Sequence, residues 1–163
     1  MKKILSLLGT FTLIGTTTAS LVACNTQLQY NEDELKKLKA ENKINTDNQE
    51  IKYNLVWIAP QEKPFITVDN KYYFIVWRGD KNDDWKIIKF KHFEQKEKVL
   101  DKYDTYELKT SHFGGDLFIY KNGFVGYDWN KDDGTYFKSV YRWNLDIQEP
   151  NLIVNKDGVI QVS

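Results

Sequence analysis

From Ile51 onward the chain consists of short apolar runs separated by clusters of Asn, Asp and Gly, the pattern of strands joined by tight turns. The runs predict strands at 51–58, 65–68, 72–78, 85–93, 103–109, 116–120, 123–129, 135–143, 151–154 and 159–162. Tyr72-Tyr73-Phe74-Ile75-Val76-Trp77 is apolar at every position, which suits an inner strand buried on both faces. Phe137, Tyr141 and Trp143 alternate with Tyr136, Lys138 and Arg142, as in a strand with one buried face. Asn122-Gly123 and Asp157-Gly158 tolerate positive φ and predict tight turns. Pro60 and Pro64 bracket a loop, because neither can donate to a sheet ladder. The expected fold class is all-β, an antiparallel meander of short strands over 51–163.

Residues 24–50 read differently, with Leu28, Tyr30, Leu35, Leu38 and Ile44 as the only large apolar side chains. Asn31-Glu32-Asp33-Glu34 predicts a helix start: Asn31 can accept from free N–H groups, and Glu34 stands at the capping-box position. Glu32/Lys36 and Asp33/Lys37 have the i,i+4 spacing of helix ion pairs. The leucines keep heptad spacing for less than two heptads, short of a coiled coil. The segment therefore reads as a solvated helical spacer.

Before it, Met1-Lys2-Lys3 precedes an apolar run from Ile4 to Ile14, broken by Ser6, Gly9, Thr10 and Thr12. Small polar residues follow to Ser20, then Leu21-Val22-Ala23-Cys24. This is the order of an export signal, and the apolar core is about half the roughly 20 residues a spanning helix needs. Leu21-Val22-Ala23-Cys24 resembles the lipobox of bacterial lipoproteins. The resemblance implies a diacylglyceryl group on the Cys24 thiol, signal cleavage between Ala23 and Cys24, and a lipid anchor on the extracytoplasmic face of the cell membrane. The wording of Met1 to Asn25 is similar to lipoprotein signals of wall-less bacteria, the Spiroplasma group above all. Among the 23 Lys and Arg residues only Arg78 and Arg142 are arginine, a bias that agrees with it.

Within the body, Phe65–Lys71 lies in ungapped register over Leu117–Gly123, and the same register sets Trp77 over Trp129, Asp80 over Asp132 and Trp85 over Phe137. A third copy starts at Asn151. Units of about 50 residues (51–102, 103–150 and the start of a third at 151–163) have the size of four-stranded propeller blades. The expectation is two open blade-like units or part of a longer, truncated propeller. Asp132-Asp133-Gly134-Thr135-Tyr136-Phe137 resembles the Asp-box, a hairpin turn whose Asp accepts from turn amides and whose aromatic packs between strands. Asp80, Asn82 and Trp85 repeat the spacing with Asn for Gly. The resemblance implies structural roles for Asp80, Asn82, Trp85, Asp132, Gly134 and Phe137. Where the family has Ser and Thr, this chain has Arg78 or Asn130 and Asp84 or Tyr136. Asp-boxes decorate sialidases, but those clamp a carboxylate with three arginines and this chain has two.

Charge and composition narrow the function classes. The net charge is zero, and without Lys2 and Lys3 the 23 basic residues become 21 against 23 acidic, which argues against nucleic acid as partner. One cysteine excludes a disulfide scaffold and a thiolate zinc site. His92 and His112 have no Cys or carboxylate at ligand spacing, so no metal, cofactor or catalytic constellation is expected. Asp80-x-Asn82-x-Asp84 and Asp128-x-Asn130-x-Asp132 space oxygens like the start of a calcium loop, yet the sixth and twelfth positions are wrong for one. The five tryptophans read mainly as core. The expected function is a membrane-anchored surface lipoprotein, its partners membrane lipid through Cys24 and a glycan or protein ligand. The alternative is a fragment of an extracytoplasmic hydrolase, which a cleft gathering Asp80, His92, His112 or Asp132 would favour.

Overall fold

The computed structural model describes residues 29–111 and 116–163, so Ala23, Cys24 and His112 lie outside the described residues. Two short helices lead in, α1 (Glu32–Glu41) and α2 (Gln49–Asn54). The strands β1 (Leu55–Trp57), β2 (Tyr72–Trp77), β3 (Lys86–Lys91), β4 (Lys98–Tyr103), β5 (Tyr106–Thr110), β6 (Leu117–Lys121), β7 (Phe124–Asp128), β8 (Phe137–Trp143), β9 (Leu152–Val154) and β10 (Ile160–Val162) follow. They form a first sheet in the order β1-β8-β2-β3, a second in the order β4-β5-β6-β7, and the hairpin β9-β10. All pairings are antiparallel.

The first sheet is the middle layer. One of its faces sets Tyr73, Ile75, Trp77, Phe90 and Val140 against Tyr106, Leu108, Leu117 and Ile119 of the second sheet. The other sets Phe74, Val76, Tyr141 and Trp143 against Ile44, Ile51 and Ile160, with Leu152 and Val154 at the margin. The uninterrupted apolar run of β2 thus has water on neither side. Each such side chain contributes about 1.5–3 kcal/mol by leaving water.

Strand β8 is buried on both faces, contrary to the one-sided alternation expected of it. Val76 pairs with Ser139 and Trp77 with Phe137, which leaves Lys138 as an extra residue. That bulge resets the alternation, so Phe137 joins Val140 on the face toward the second sheet while Tyr141 and Trp143 point the other way.

Other boundaries also differ. Residues 65–68 are not a strand: they run between Lys63 (φ 45°) and Asn70 (φ 57°), whose left-handed conformations break an extended ladder. Phe65 instead plugs the core at 2% exposure. Strand β4 lies in the charged stretch Lys98–Tyr103, where only Val99, Leu100 and Tyr103 mark it. Residues 51–54 complete α2, because Asn48 caps that helix by accepting from the Ile51 amide (3.2 Å).

The described part of the segment before residue 51, residues 29–50, is tied to the body and not a free spacer. Asn31 and Glu34 form the reciprocal capping box of α1 at 2.9 Å each, and α1 buries none of its residues. The ion pair along it joins Lys37 to Glu41 (3.7 Å) and not the two pairs expected. On either side, however, the chain is tied down. The Gln61 side chain holds both backbone groups of Tyr30, Tyr141 donates to the Asn42 carbonyl (2.8 Å), and Ile44 is 5% exposed in the core.

The two aligned sequence units are not two blades. Strand β8 inserts between β1 and β2, so the first sheet mixes both units. The four-stranded meander that exists, β4 to β7, straddles the proposed boundary at 102/103. Neither sheet closes on itself.

Candidate functional site

The two acidic turns lie side by side, clasped by Arg78. Its backbone N–H donates to the Tyr136 carbonyl (3.0 Å) and its Nε to the Thr135 carbonyl (2.6 Å). In the second turn the Asp132 carboxylate accepts from the amides of Gly134 (2.9 Å), Tyr136 (3.1 Å) and Phe137 (3.0 Å). Gly134 takes φ +93°, a conformation that strains other residues, and Phe137 is buried. The first turn is built differently. Asp80 accepts from the Asn82 amide (3.1 Å) while Asp83 accepts from the Asp80 amide (2.8 Å). Asn82 is not among the described residues with positive φ, so it does not stand in for Gly134. Trp85 goes to the opposite core from Phe137, with the Arg78 guanidinium 4.2 Å above its ring and Gly158 close beneath. These carboxylates are engaged by turn amides. Among the described residues no group of three or more His, Cys, Asp or Glu side chains could hold a metal ion.

Of the residues named for a hydrolase, His112 lies outside the described residues, and Asp80 and His92 do not meet in one cleft. Asp80 follows Trp77 and His92 follows Lys91, and the pairing of Trp77 with Lys86 and Tyr72 with Lys91 puts them at opposite ends of the β2–β3 hairpin. His92 is buried beside Asp69, with Nδ1 3.6 Å from Oδ1. Burial pushes its pKa down, more than the Asp69 carboxylate draws it up. Tyr73 donates to Asp69 Oδ2 (2.7 Å), and its own pKa is raised by burial and then by that carboxylate.

A second acidic pair had no sequence signal. Asp116 is buried at the start of β6, its carboxylate against the Asp128 side chain and the Asn130 amide. Burial, followed by the hydrogen bond with Asp128, raises its pKa far above the usual carboxylate range. The pair is twelve positions apart and meets only because β6 and β7 pair Phe118 with Asp128.

The surface best suited to a ligand is the outer face of the second sheet. Its inner face packs on the first sheet, and no other described layer covers the outer one. Register places Val99, Lys109, Phe118 and Asp128 in one row and Lys102, Glu107, Tyr120 and Val125 in the next. Phe118 and Tyr120 are half-buried, and Val125 and the adjoining Phe124 are exposed. Lys109 lies 4.3 Å over the Tyr120 ring and pairs with Glu107 (2.9 Å), which also takes Lys102 (2.5 Å). Hydrogen bonds from those two lysines lower the Glu107 pKa to about 2. The face thus offers aromatic surface beside a fixed line of charges. The aromatic surplus was legible in the sequence, but the division into core and surface rings depends on register.

Comparison with known proteins adds one relationship. The chain is 32% identical over 73 residues, 45% of its length, to the uncharacterized protein ORF1 of Spiroplasma virus SpV1-R8A2 B. The match spans 9% of that viral protein. It is consistent with the Spiroplasma-type wording of the N-terminal segment. No protein-family model matches the chain, and no solved structure does.

Proposed function

We propose that the protein is a membrane-anchored surface lipoprotein whose β domain presents the outer face of its second sheet to a partner. The observation that carries this reading is Leu21-Val22-Ala23-Cys24 behind a charged end and a short apolar core, with the chain's one cysteine at the position that lipid attachment requires. A single acyl chain gives marginal membrane binding, and a diacylglyceryl group at Cys24 supplies two. Because Tyr30 is fastened to Gln61, the six-residue step from Cys24 reaches at most about 20 Å, which holds the domain near the bilayer. Phe118 and Tyr120, backed by the Lys102–Glu107–Lys109 line, support stacking on a glycan ring with flanking hydrogen bonds. The same surface supports a protein partner, since exposed aromatics flanked by charge anchor interfaces.

The truncated-propeller hydrolase keeps one supporting feature, the four-stranded meander β4–β7. Blade-like repeats in frame downstream would favour it; their absence would count against it. Two measurements test the lipoprotein reading. Protease added to intact cells is expected to digest the β domain, and protection by the membrane would contradict an outside location. Binding to an immobilised glycan panel is expected to be lost in Tyr120→Ala with the fold intact. A panel that retains neither wild type nor variant removes the glycan and leaves the protein ligand.

A further inference from the structure

The segment 63–71 crosses one end of the core without being part of a sheet, and a buried histidine holds it. The Asn70 amide donates to the His92 carbonyl and the His92 amide to the Lys71 carbonyl, each at 2.9 Å. Phe65 inserts its ring among Tyr73 (4.8 Å), Phe90 (5.6 Å) and His92 (5.6 Å, edge on). Tyr73 also lies against His92 from β2. The imidazole is therefore part of the apolar packing that keeps Phe65 in place.

The same ring carries an unmet polar group. His92 is 4% exposed, and its Nδ1 is buried with no hydrogen-bond partner. Asp69 Oδ1 stands 3.6 Å away, outside hydrogen-bond reach. The Asp69 carboxylate is already committed: Oδ1 accepts from the Lys71 amide (3.0 Å) and Oδ2 from the Tyr73 hydroxyl (2.7 Å). Arg142 of β8 lies 3.9 Å from Oδ2, and the Lys71 ammonium is turned away to Asp146 (2.7 Å). Asp69 from the segment, Tyr73 from β2 and Arg142 from β8 are thus the titratable and charged groups at this end, while Phe65 and Phe90 supply only rings.

We propose that His92 and Asp69 form an acid-sensitive latch on segment 63–71, closed when the imidazole is neutral and opened when Nδ1 takes a proton from solvent. The neutral ring tolerates the apolar cage. The protonated ring does not, because an imidazolium needs a partner and the nearest is a carboxylate engaged elsewhere. To close the 3.6 Å gap, Asp69 must shift toward the ring, which strains its bonds to the Lys71 amide and the Tyr73 hydroxyl, and each of those bonds fixes the end of the segment. If the ring leaves the cage instead, Phe65 loses one wall. Either route loosens 63–71 while the sheets stay intact. The sign follows from burial: a histidine whose folded pKa is depressed contributes stability that is complete above the unfolded value of 6.5 and is lost as pH falls below it.

The test uses the full chain in detergent micelles with His112→Gln, which leaves His92 as the sole histidine. Nuclear magnetic resonance of the ring is expected to give a titration midpoint below 6.5. Over that titration, from about pH 7.5 to about pH 5, amide protection at Asn70 and Lys71, corrected for intrinsic exchange, is expected to fall about tenfold or more. Ile75 and Val140 in the sheet core are expected to stay protected. Asp69→Asn removes the carboxylate that favours the imidazolium, so the His92 midpoint is expected to move lower still. A midpoint at or above 6.5 would overturn the latch, as would unchanged protection at Asn70 and Lys71 or parallel loss at Ile75 and Val140.

Discussion

Asp132 and Asp80 occupy aligned positions in sequence and carry different loads. Asp132 satisfies three turn amides, whereas Asp80 accepts from Asn82 alone. Leaving half-buried amides without acceptors costs about 1–3 kcal/mol. Asp132→Ala is therefore expected to lower unfolding stability in urea by about 2–3 kcal/mol and Asp80→Ala by under about 1 kcal/mol. Equal losses would mean that the turns are equivalent after all. Asp116 makes a pH prediction of its own. Its folded pKa is raised by burial and by Asp128, so the folded state keeps a proton that the unfolded chain releases near 3.8. Stability from this group is full below that value and is lost as pH rises toward the raised folded value. Asp116→Asn keeps the shape without the charge and is expected to flatten that decline in denaturant midpoints measured across the range. The Asp132 turn was visible beforehand, because its residues are local in sequence. The Asp116–Asp128 pair was not, since only the β6–β7 register joins it.

At the scale of elements, local pattern located most strands and failed where tertiary packing decided. The apolar run of β2 and the Asn122-Gly123 turn (φ 52° and 83°) appear where the sequence puts them. Residues 65–68 looked equally strand-like, but the left-handed residues at their flanks turn them into a plug for the core. Strand β4 was hidden because an edge strand with lysines has little apolar pattern to show, which is also how an edge avoids sticking to other chains. The polar segment before residue 51 gave no hint that Ile44 is buried against Tyr141 and Trp143. Ile44→Ala is expected to cost about 2–4 kcal/mol in chemical unfolding, as a core truncation does. A loss under about 0.5 kcal/mol would restore the free-spacer reading.

For the whole molecule, the sequence conveyed the all-β class and the antiparallel pairing, because alternation and turn chemistry are local. It did not convey the layering, since an offset between similar strands says nothing about which sheet each strand joins. Strand β8 returns to the first sheet across the second, and that long-range choice makes a three-layer body where two blades were expected. Function divides in the same way. The proposed lipid anchor rests on consecutive residues, while the proposed ligand face exists only once register has sorted Phe118 and Tyr120 outward from Leu117 and Ile119. The anchor is the claim on which the rest of the functional reading depends. Mass spectrometry of the N-terminal peptide from membranes of the native cell tests it most directly. The account predicts a mature chain that starts at Cys24 and carries a diacylglyceryl group on its sulfur, with Cys24→Ala left uncut and free of lipid. A mature chain that retains Met1 to Ala23, or an unmodified Cys24 thiol, would contradict it.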